Sequence, residues 1–311
     1  MDIPGYVDLQ VNGYKGIDFS SPDLTKEKII SASRELRKQK TIAFLTTMVT
    51  CPMDIYEKNL PLLAKVMEEE DFKNAILGIH LEGPFLSDSE AKGVHNPDWM
   101  MLPDKDFFDR LYNLAEGKIK MITISAELPG AESFCKYVSG LGITVSLGHQ
   151  MAKEPEINNL AKAGATSLTH LGNGLPHLIG RHHNPLIAGM ANDDLTAMII
   201  TDGFHLPPSL IKAMIRTKGP ERIVVVSDAS PVAGLSPGNY HLFGIETVLE
   251  ESGLLYNPDT GYLAGSSYTI KQCIEYLKTL NLLSDQELQE VGFFNPLRLI
   301  HVDPEIIKRN A

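Results

Sequence analysis

With three cysteines, a single tryptophan and a net charge of −11, this 311-residue chain is defined first by what it is short of. Cys51, Cys135 and Cys273 are far apart, odd in number and in no metal-type spacing. Neither a disulfide framework nor a cysteine metal site is expected, and a reducing cytoplasm is the expected compartment. With 28 Lys and Arg against 39 Asp and Glu, the chain lacks the positive field that drives sequence-independent nucleic-acid binding. A small anionic substrate stays open, since it needs only one local cationic pocket. No apolar run approaches the roughly 20 residues of a bilayer span, so no membrane partner is expected. Met1-Asp2-Ile3-Pro4-Gly5 does not begin like a signal peptide. Low-complexity tracts, charge blocks and Pro/Ser-rich linkers are missing too. The hydrophobic fraction of 43% against 22% charged residues excludes disorder and fits a large core.

What recurs is a short β-branched run followed by an amphipathic stretch. Strands are predicted at 6–12, 41–49, 75–82, 119–127, 143–149, 166–171, 195–202 and 222–228. They are apolar on both faces, as strands of a covered parallel sheet should be. Helices are predicted at 25–39, 54–69, 104–116, 131–141, 154–164 and 208–217, the last starting at Pro207-Pro208. Eight strands alternating with helices indicate an α/β fold, a (β/α)8 TIM-type barrel. An open doubly wound sheet would carry a Gly-rich phosphate loop after its first strand, and Gln10-Val11-Asn12-Gly13-Tyr14-Lys15-Gly16 is not one.

A barrel puts its chemistry at the C-terminal ends of the strands. There the chain places Gln10 and Asn12, Glu82, Glu127, His149, His170, Asp202 with His205, and Asp228. Glu82 precedes Gly83-Pro84, so it reads either as a turn residue or as a carboxylate in the barrel mouth. His80, two residues earlier on the same face, reads as a hydrogen-bonded core histidine. Two histidines on consecutive strands, with a carboxylate on the third strand, make a one-carboxylate, two-His ligand set suited to Zn2+ or Fe2+ with a position left for water. Asp228 is followed by Ala229-Ser230-Pro231-Val232-Ala233-Gly234, a loop, so helix capping loses weight against a general base and acid beside that water. Ser-His-Asp acyl transfer is disfavoured because no Gly-x-Ser-x-Gly elbow occurs at a strand-to-helix turn.

Several segments carry a more specific signal: Pro4-Gly5-Tyr6-Val7-Asp8-Leu9-Gln10-Val11-Asn12-Gly13, His80-Leu81-Glu82-Gly83-Pro84-Phe85 and Lys92-Gly93-Val94-His95-Asn96-Pro97. Gly148-His149, Thr169-His170-Leu171 with Asn173, Asp202-Gly203-Phe204-His205, Ser227-Asp228-Ala229 and Leu263-Ala264-Gly265-Ser266-Ser267 follow in order. Together they resemble the N-acetylglucosamine-6-phosphate deacetylase family of the amidohydrolase superfamily. The resemblance implies one divalent metal per subunit on Glu82, His149 and His170, with Gln10 and Asn12 standing where other amidohydrolases bind a second ion. It implies Asp228 as catalytic acid/base, and His205 as the histidine that holds the substrate carbonyl or sugar. His95 would touch a sugar hydroxyl, Asn173 and Gly174 would lie near the phosphate, and Arg181 would reach the phosphate across a homodimer.

The chain departs from the family in three places. It opens on Pro4-Gly5 and ends soon after Asn295-Pro296, so residues 1–311 are expected to form one barrel domain with a C-terminal helical tail and no separate β-sandwich. The phosphate segment reads Gly172-Asn173-Gly174-Leu175-Pro176, with Gly172 in place of an aromatic and Gly174-Leu175 in place of Ala-Met. Counting from His170 makes Arg181 the phosphate ligand, whereas counting back from Pro185 makes it His183. Tyr14-Lys15 replaces small residues, which makes Lys15 a candidate new anion contact. The expected reaction is hydrolysis of the N-acetyl group of an amino-sugar phosphate, foremost N-acetylglucosamine 6-phosphate. Its rivals are another N-acyl substrate, such as a different N-acetyl-hexosamine phosphate or an N-acyl amino acid, and a non-catalytic sugar-phosphate-binding barrel.

Overall fold

A computed structural model describes residues 3–309; Met1, Asp2, Asn310 and Ala311, at the ends of the expected domain, lie outside the described residues. Eight parallel strands follow one another in sequence order: β1 Tyr6–Val11, β2 Thr41–Val49, β3 Ile76–Glu82, β4 Ile119–Ile124, β5 Thr144–Leu147, β6 Ala165–Leu168, β7 Thr196–Ile200 and β8 Ile223–Val226. Helices α1 Lys26–Lys38, α2 Met53–Met67, α3 Lys105–Leu114, α4 Ala131–Gly140, α5 Glu154–Lys162, α6 Pro185–Ala191, α7 Pro208–Lys218 and α8 Ile270–Thr279 follow the successive strands. This is the (β/α)8 arrangement expected from the alternation. The helices form for local reasons. Thr25 accepts the Lys28 amide at the start of α1, and Ile29, Ala32 and Leu36 place one buried stripe against the sheet.

The seam between β8 and β1 closes by a different device from the other pairs. The Ser227 amide and hydroxyl both donate to the Asp8 carboxylate, at 3.1 and 2.5 Å, and Asn12 N–H donates to Ala229 O at 2.9 Å. A side-chain carboxylate thus stands in for ladder bonds, joining the first strand to the last.

The barrel interior is layered. Its floor is apolar: Val7, Leu9, Ala43, Leu45, Met121, Met198, Val224 and Val226 pack with Phe293, Leu297 and Ile300 of the C-terminal tail. That tail is pinned to strand starts by Thr144 Oγ1 donating to Leu299 O and Asn295 Nδ2 donating to Ile223 O, each at 2.8 Å. Above the floor lies a polar layer. His80 Nδ1 meets Leu9 O at 3.1 Å, its Nε2 meets Thr123 Oγ1 at 2.8 Å, and Thr123 continues to Thr169 and Ser146. Burial pushes His80 down to about 4, so it is a neutral core histidine. One layer up on the same face of β3 is Glu82. A register shift in β1 between Asp8 and Val11 accompanies the change from apolar floor residues Val7 and Leu9 to polar Gln10 and Asn12.

A three-stranded antiparallel sheet, β9 Gly238–Leu242, β10 Ile245–Leu249 and β11 Leu255–Tyr256, is inserted between β8 and α8 and overhangs the barrel mouth. No strand was expected between residues 238 and 256 from the alternation of apolar runs. Its hairpin turns at Phe243 and Gly244 with φ of 52° and 82°, a two-residue turn in which phenylalanine takes the place usual for Asn or Asp. Among the described residues no helix is long and apolar enough to cross a membrane.

Candidate metal centre and catalytic cavity

Glu82 is the last residue of β3, while His149, His170 and Asp228 each stand two residues beyond the end of their strand. All three latter residues adopt left-handed backbone, with φ of 49°, 27° and 51°. For non-glycine residues this costs on the order of 1 kcal/mol each, and such strain gathers at functional sites. The strands therefore stop short of the ends expected from the sequence, and a turn aims each side chain over the mouth.

Three buried donor atoms converge there. Glu82 Oε1 lies 3.1 Å from His149 Nε2 and 2.9 Å from His170 Nε2, and the two Nε2 atoms are 3.1 Å apart. His149 Nδ1 donates to Ala91 O at 3.0 Å, which leaves its Nε2 as a bare lone pair facing the other two. A carboxylate oxygen and two imidazole nitrogens this close, in a buried site, fit a divalent cation, and the Ala91 carbonyl is the outer support such a ligand needs. Gln10 Nε2 donates to the same Glu82 oxygen at 2.9 Å.

Beside this cluster, burial and the nearby Glu82 charge push Asp228 up to about 6. Its Oδ1 accepts a 2.7 Å hydrogen bond from Asn12 Nδ2. A carboxyl that titrates near neutrality is suited to taking and returning a proton. His205 Nδ1 meets Asp202 Oδ2 at 2.7 Å. His95 packs edge-on against His149, with centroids 4.5 Å apart, and contacts Thr50 Oγ1 through Nδ1. Burial pushes His95 down to about 3, so its ring is neutral. These groups open on one cavity of about 870 Å3, whose wall includes Asn12, Glu82, His95, His149, His170, Asn173, Gly174, His205 and Asp228. Asn173 Nδ2 donates to His170 O at 3.1 Å.

No family model matches the chain. Sequence comparison finds N-acetylglucosamine-6-phosphate deacetylases of Bos taurus and Danio rerio, each 30% identical over 96% of this chain and 74% and 75% of theirs. The chain belongs to the N-acetylglucosamine-6-phosphate deacetylase family. Its fold agrees: the Mycobacterium smegmatis deacetylase, solved as a mutant in complex with N-acetyl-D-glucosamine-6-phosphate, matches with a TM-score of 0.87 at 28% identity, over 96% of this chain and 78% of that one. The chain therefore spans about three quarters of the length of these deacetylases.

Some residues expected near the substrate are elsewhere in this single chain. Lys15 is not an anion contact in the cavity, because Glu35 of α1 holds its Nζ at 2.6 Å on the surface. Arg181 and His183 are both exposed and neither lines the cavity; Arg181 Nε donates to His182 Nε2 at 3.3 Å. Gln10 sits behind Glu82 and is not part of the wall. Glu127 is drawn aside, accepting the Met151 amide at 2.8 Å. Three features were not read from the sequence. The Ala91 carbonyl has no sequence signature. Phe243 reaches the wall from the unrecognised hairpin. Tyr262, stacked on His177 at 4.8 Å, immediately precedes the Leu263-Ala264-Gly265 motif, which was the available signal.

Proposed function

We propose that this protein hydrolyses the acetamide of N-acetylglucosamine 6-phosphate, giving glucosamine 6-phosphate and acetate. The observation that carries the reading is the convergence of Glu82, His149 and His170 beside Asp228 on one cavity wall in a chain of this family. The three ligands would hold one Zn2+ or Fe2+, which when bound lowers the pKa of water and polarises the amide carbonyl.

The chain's own residues handle the proton and the substrate. Asp228 takes a proton as the water oxygen adds to the acetamide carbon. When the C–N bond breaks, Asp228 returns that proton to the nitrogen, so the amine leaves neutral and acetate keeps the oxygen. Asn12 ties down Oδ1 of Asp228, which leaves Oδ2 for this transfer. His205 and His95 contact the sugar or its acetamide, and Asn173 with the Gly174 backbone lies toward the phosphate. Arg181 binds the 6-phosphate of a neighbouring subunit's substrate in a homodimer, which accounts for its exposure here. A bidentate guanidinium suits a phosphate better than His183 would. Three buried free thiols are consistent with a cytoplasmic enzyme. One barrel with its inserted sheet constitutes the functional domain.

A second reading concerns the hexosamine alone. An N-acetylgalactosamine-6-phosphate deacetylase of Escherichia coli O157:H7 is 26% identical over 96% of this chain. Acetate release should therefore be measured from both 6-phosphates and from unphosphorylated N-acetylglucosamine, using protein reconstituted with Zn2+ or Fe2+. Fast release confined to N-acetylglucosamine 6-phosphate is expected. Equal or absent release from all three, with metal bound, would overturn the substrate assignment.

A further inference from the structure

We propose that Asp202 is a positioning residue that fixes the tautomer of His205, so that the imidazole meets the substrate through Nε2. The proposal rests on the reading of His205 as a substrate-facing group.

Asp202 lies two residues past β7, and the chain folds back at once through Gly203, whose φ is 88°. The turn spends every contact of the carboxylate on its own loop. Oδ1 accepts the amides of Phe204 and His205, both at 2.9 Å, and Oδ2 faces His205 Nδ1 at 2.7 Å. The two side chains are 2% and 6% exposed, so water does not compete for these bonds. Although burial opposes the charge, His205 and the two amides hold Asp202 down at about 2, so it is a carboxylate with lone pairs only. Nδ1 must then carry the hydrogen. Nε2 is left for the cavity, which His205 lines and Asp202 does not. Gly203 packs so closely on the Tyr276 ring that an added Cβ would sit 2.9 Å from it. Asp202 therefore acts through His205 and never touches substrate.

Asp202→Asn is the discriminating change. The amide oxygen can keep both backbone bonds, while its NH2 group turns toward Nδ1 and drives the ring proton to Nε2. Histidine 15N spectra of Zn2+-loaded protein read this without turnover, with the His205 signals assigned by their loss in His205→Gln. The wild type should show Nδ1–H with a bare Nε2, and Asp202→Asn the reverse. A bare Nδ1 in the wild type overturns the proposal even if the variant fails to fold.

Kinetics with N-acetylglucosamine 6-phosphate give the second readout. Asp202→Asn should lower kcat/KM on the order of 10²–10⁴-fold, the range for a mis-set catalytic imidazole. Adding it to His205→Gln should cost less than about threefold more, since a residue acting only through His205 has nothing left to act on. Full additivity would show a merely structural role and overturn the proposal. A wild type that shows the expected tautomer but releases no acetate supports the positioning role and overturns the proposed substrate instead.

Discussion

Gly174→Ala tests whether the loop after β6 and the metal centre are one mechanical unit. Gly174 has φ of 61°, and a Cβ there would fall 2.7 Å from His149 Nδ1, 2.9 Å from His149 Cε1 and 3.3 Å from Ala91 O. The first cost is backbone, about 1–2 kcal/mol for a side chain in left-handed conformation. The second is at the metal. Ordinary contact begins near 3.4 Å, so the ring or the loop must retreat by about 0.7 Å. Because the Cβ lies to one side of the Nδ1–H···O=C bond to Ala91, a retreat of that size directly away from it lengthens the bond from 3.0 Å to about 3.3 Å, which weakens it without breaking it. Complete loss of the outer partner of a ligating histidine weakens metal binding about 10–100-fold, so weakening it should cost up to about 10-fold, or roughly 1.4 kcal/mol. The assay is competition for Zn2+ between the protein and a chelator of known affinity, with metal-free thermal unfolding recorded beside it. Gly180→Ala is the control, because nothing lies within 4 Å of a Cβ at that position in the same loop. Unchanged Zn2+ affinity in Gly174→Ala, or an equal loss in Gly180→Ala, would refute the reasoning.

Three further outcomes follow from the structure. Asp228→Asn should lower kcat by about 10²–10⁴-fold while metal content, measured by mass spectrometry, stays at the wild-type level; parallel loss of metal would make Asp228 a ligand instead. Arg181→Ala should raise KM for phosphorylated substrate and leave the unphosphorylated sugar untouched, and equal effects on both would remove Arg181 from phosphate binding. The third concerns Asp8, whose carboxyl burial pushes up to about 7 from 3.8. Because the folded pKa lies above the unfolded one, the folded state holds the proton more tightly, and stability is gained as pH falls through 7 toward 4. Asp8→Asn should therefore be more favourable relative to wild type at pH 8 than at pH 5, by roughly 2–3 kcal/mol in urea unfolding; a gap independent of pH would show that Asp8 does not titrate in this range.

The barrel was legible because most strands are apolar or β-branched runs buried on both faces, and because Pro207-Pro208 and the amphipathic stretches mark the helices between. The metal ligands were legible for a related reason: titratable residues placed at strand ends are rare unless chemistry requires them. Local backbone was not. The sequence alone ran strands five and six through His149 and His170, because nothing in residue type announces that these two turn left-handed. Lys15 is held away from the cavity by Glu35, twenty residues on and near the C-terminal end of α1, a pairing no local pattern reveals. Phe243-Gly244 hid a hairpin that Asn-Gly would have advertised. Counting residues could not choose between Arg181 and His183, and within one chain both remain at the surface.

The apolar floor of the barrel bears on how the protein is made. Val7, Leu9, Ala43, Leu45, Met121 and Met198 are covered from below by Phe293, Leu297 and Ile300. Those covering residues leave the ribosome after all eight strands have emerged. Through most of synthesis, then, the nascent strands carry an uncovered greasy end, and a substitution such as Leu297→Asp would act on newly made chains before it acted on finished enzyme. Its signature would be low yield and chaperone dependence, with normal kinetics in the molecules that complete folding.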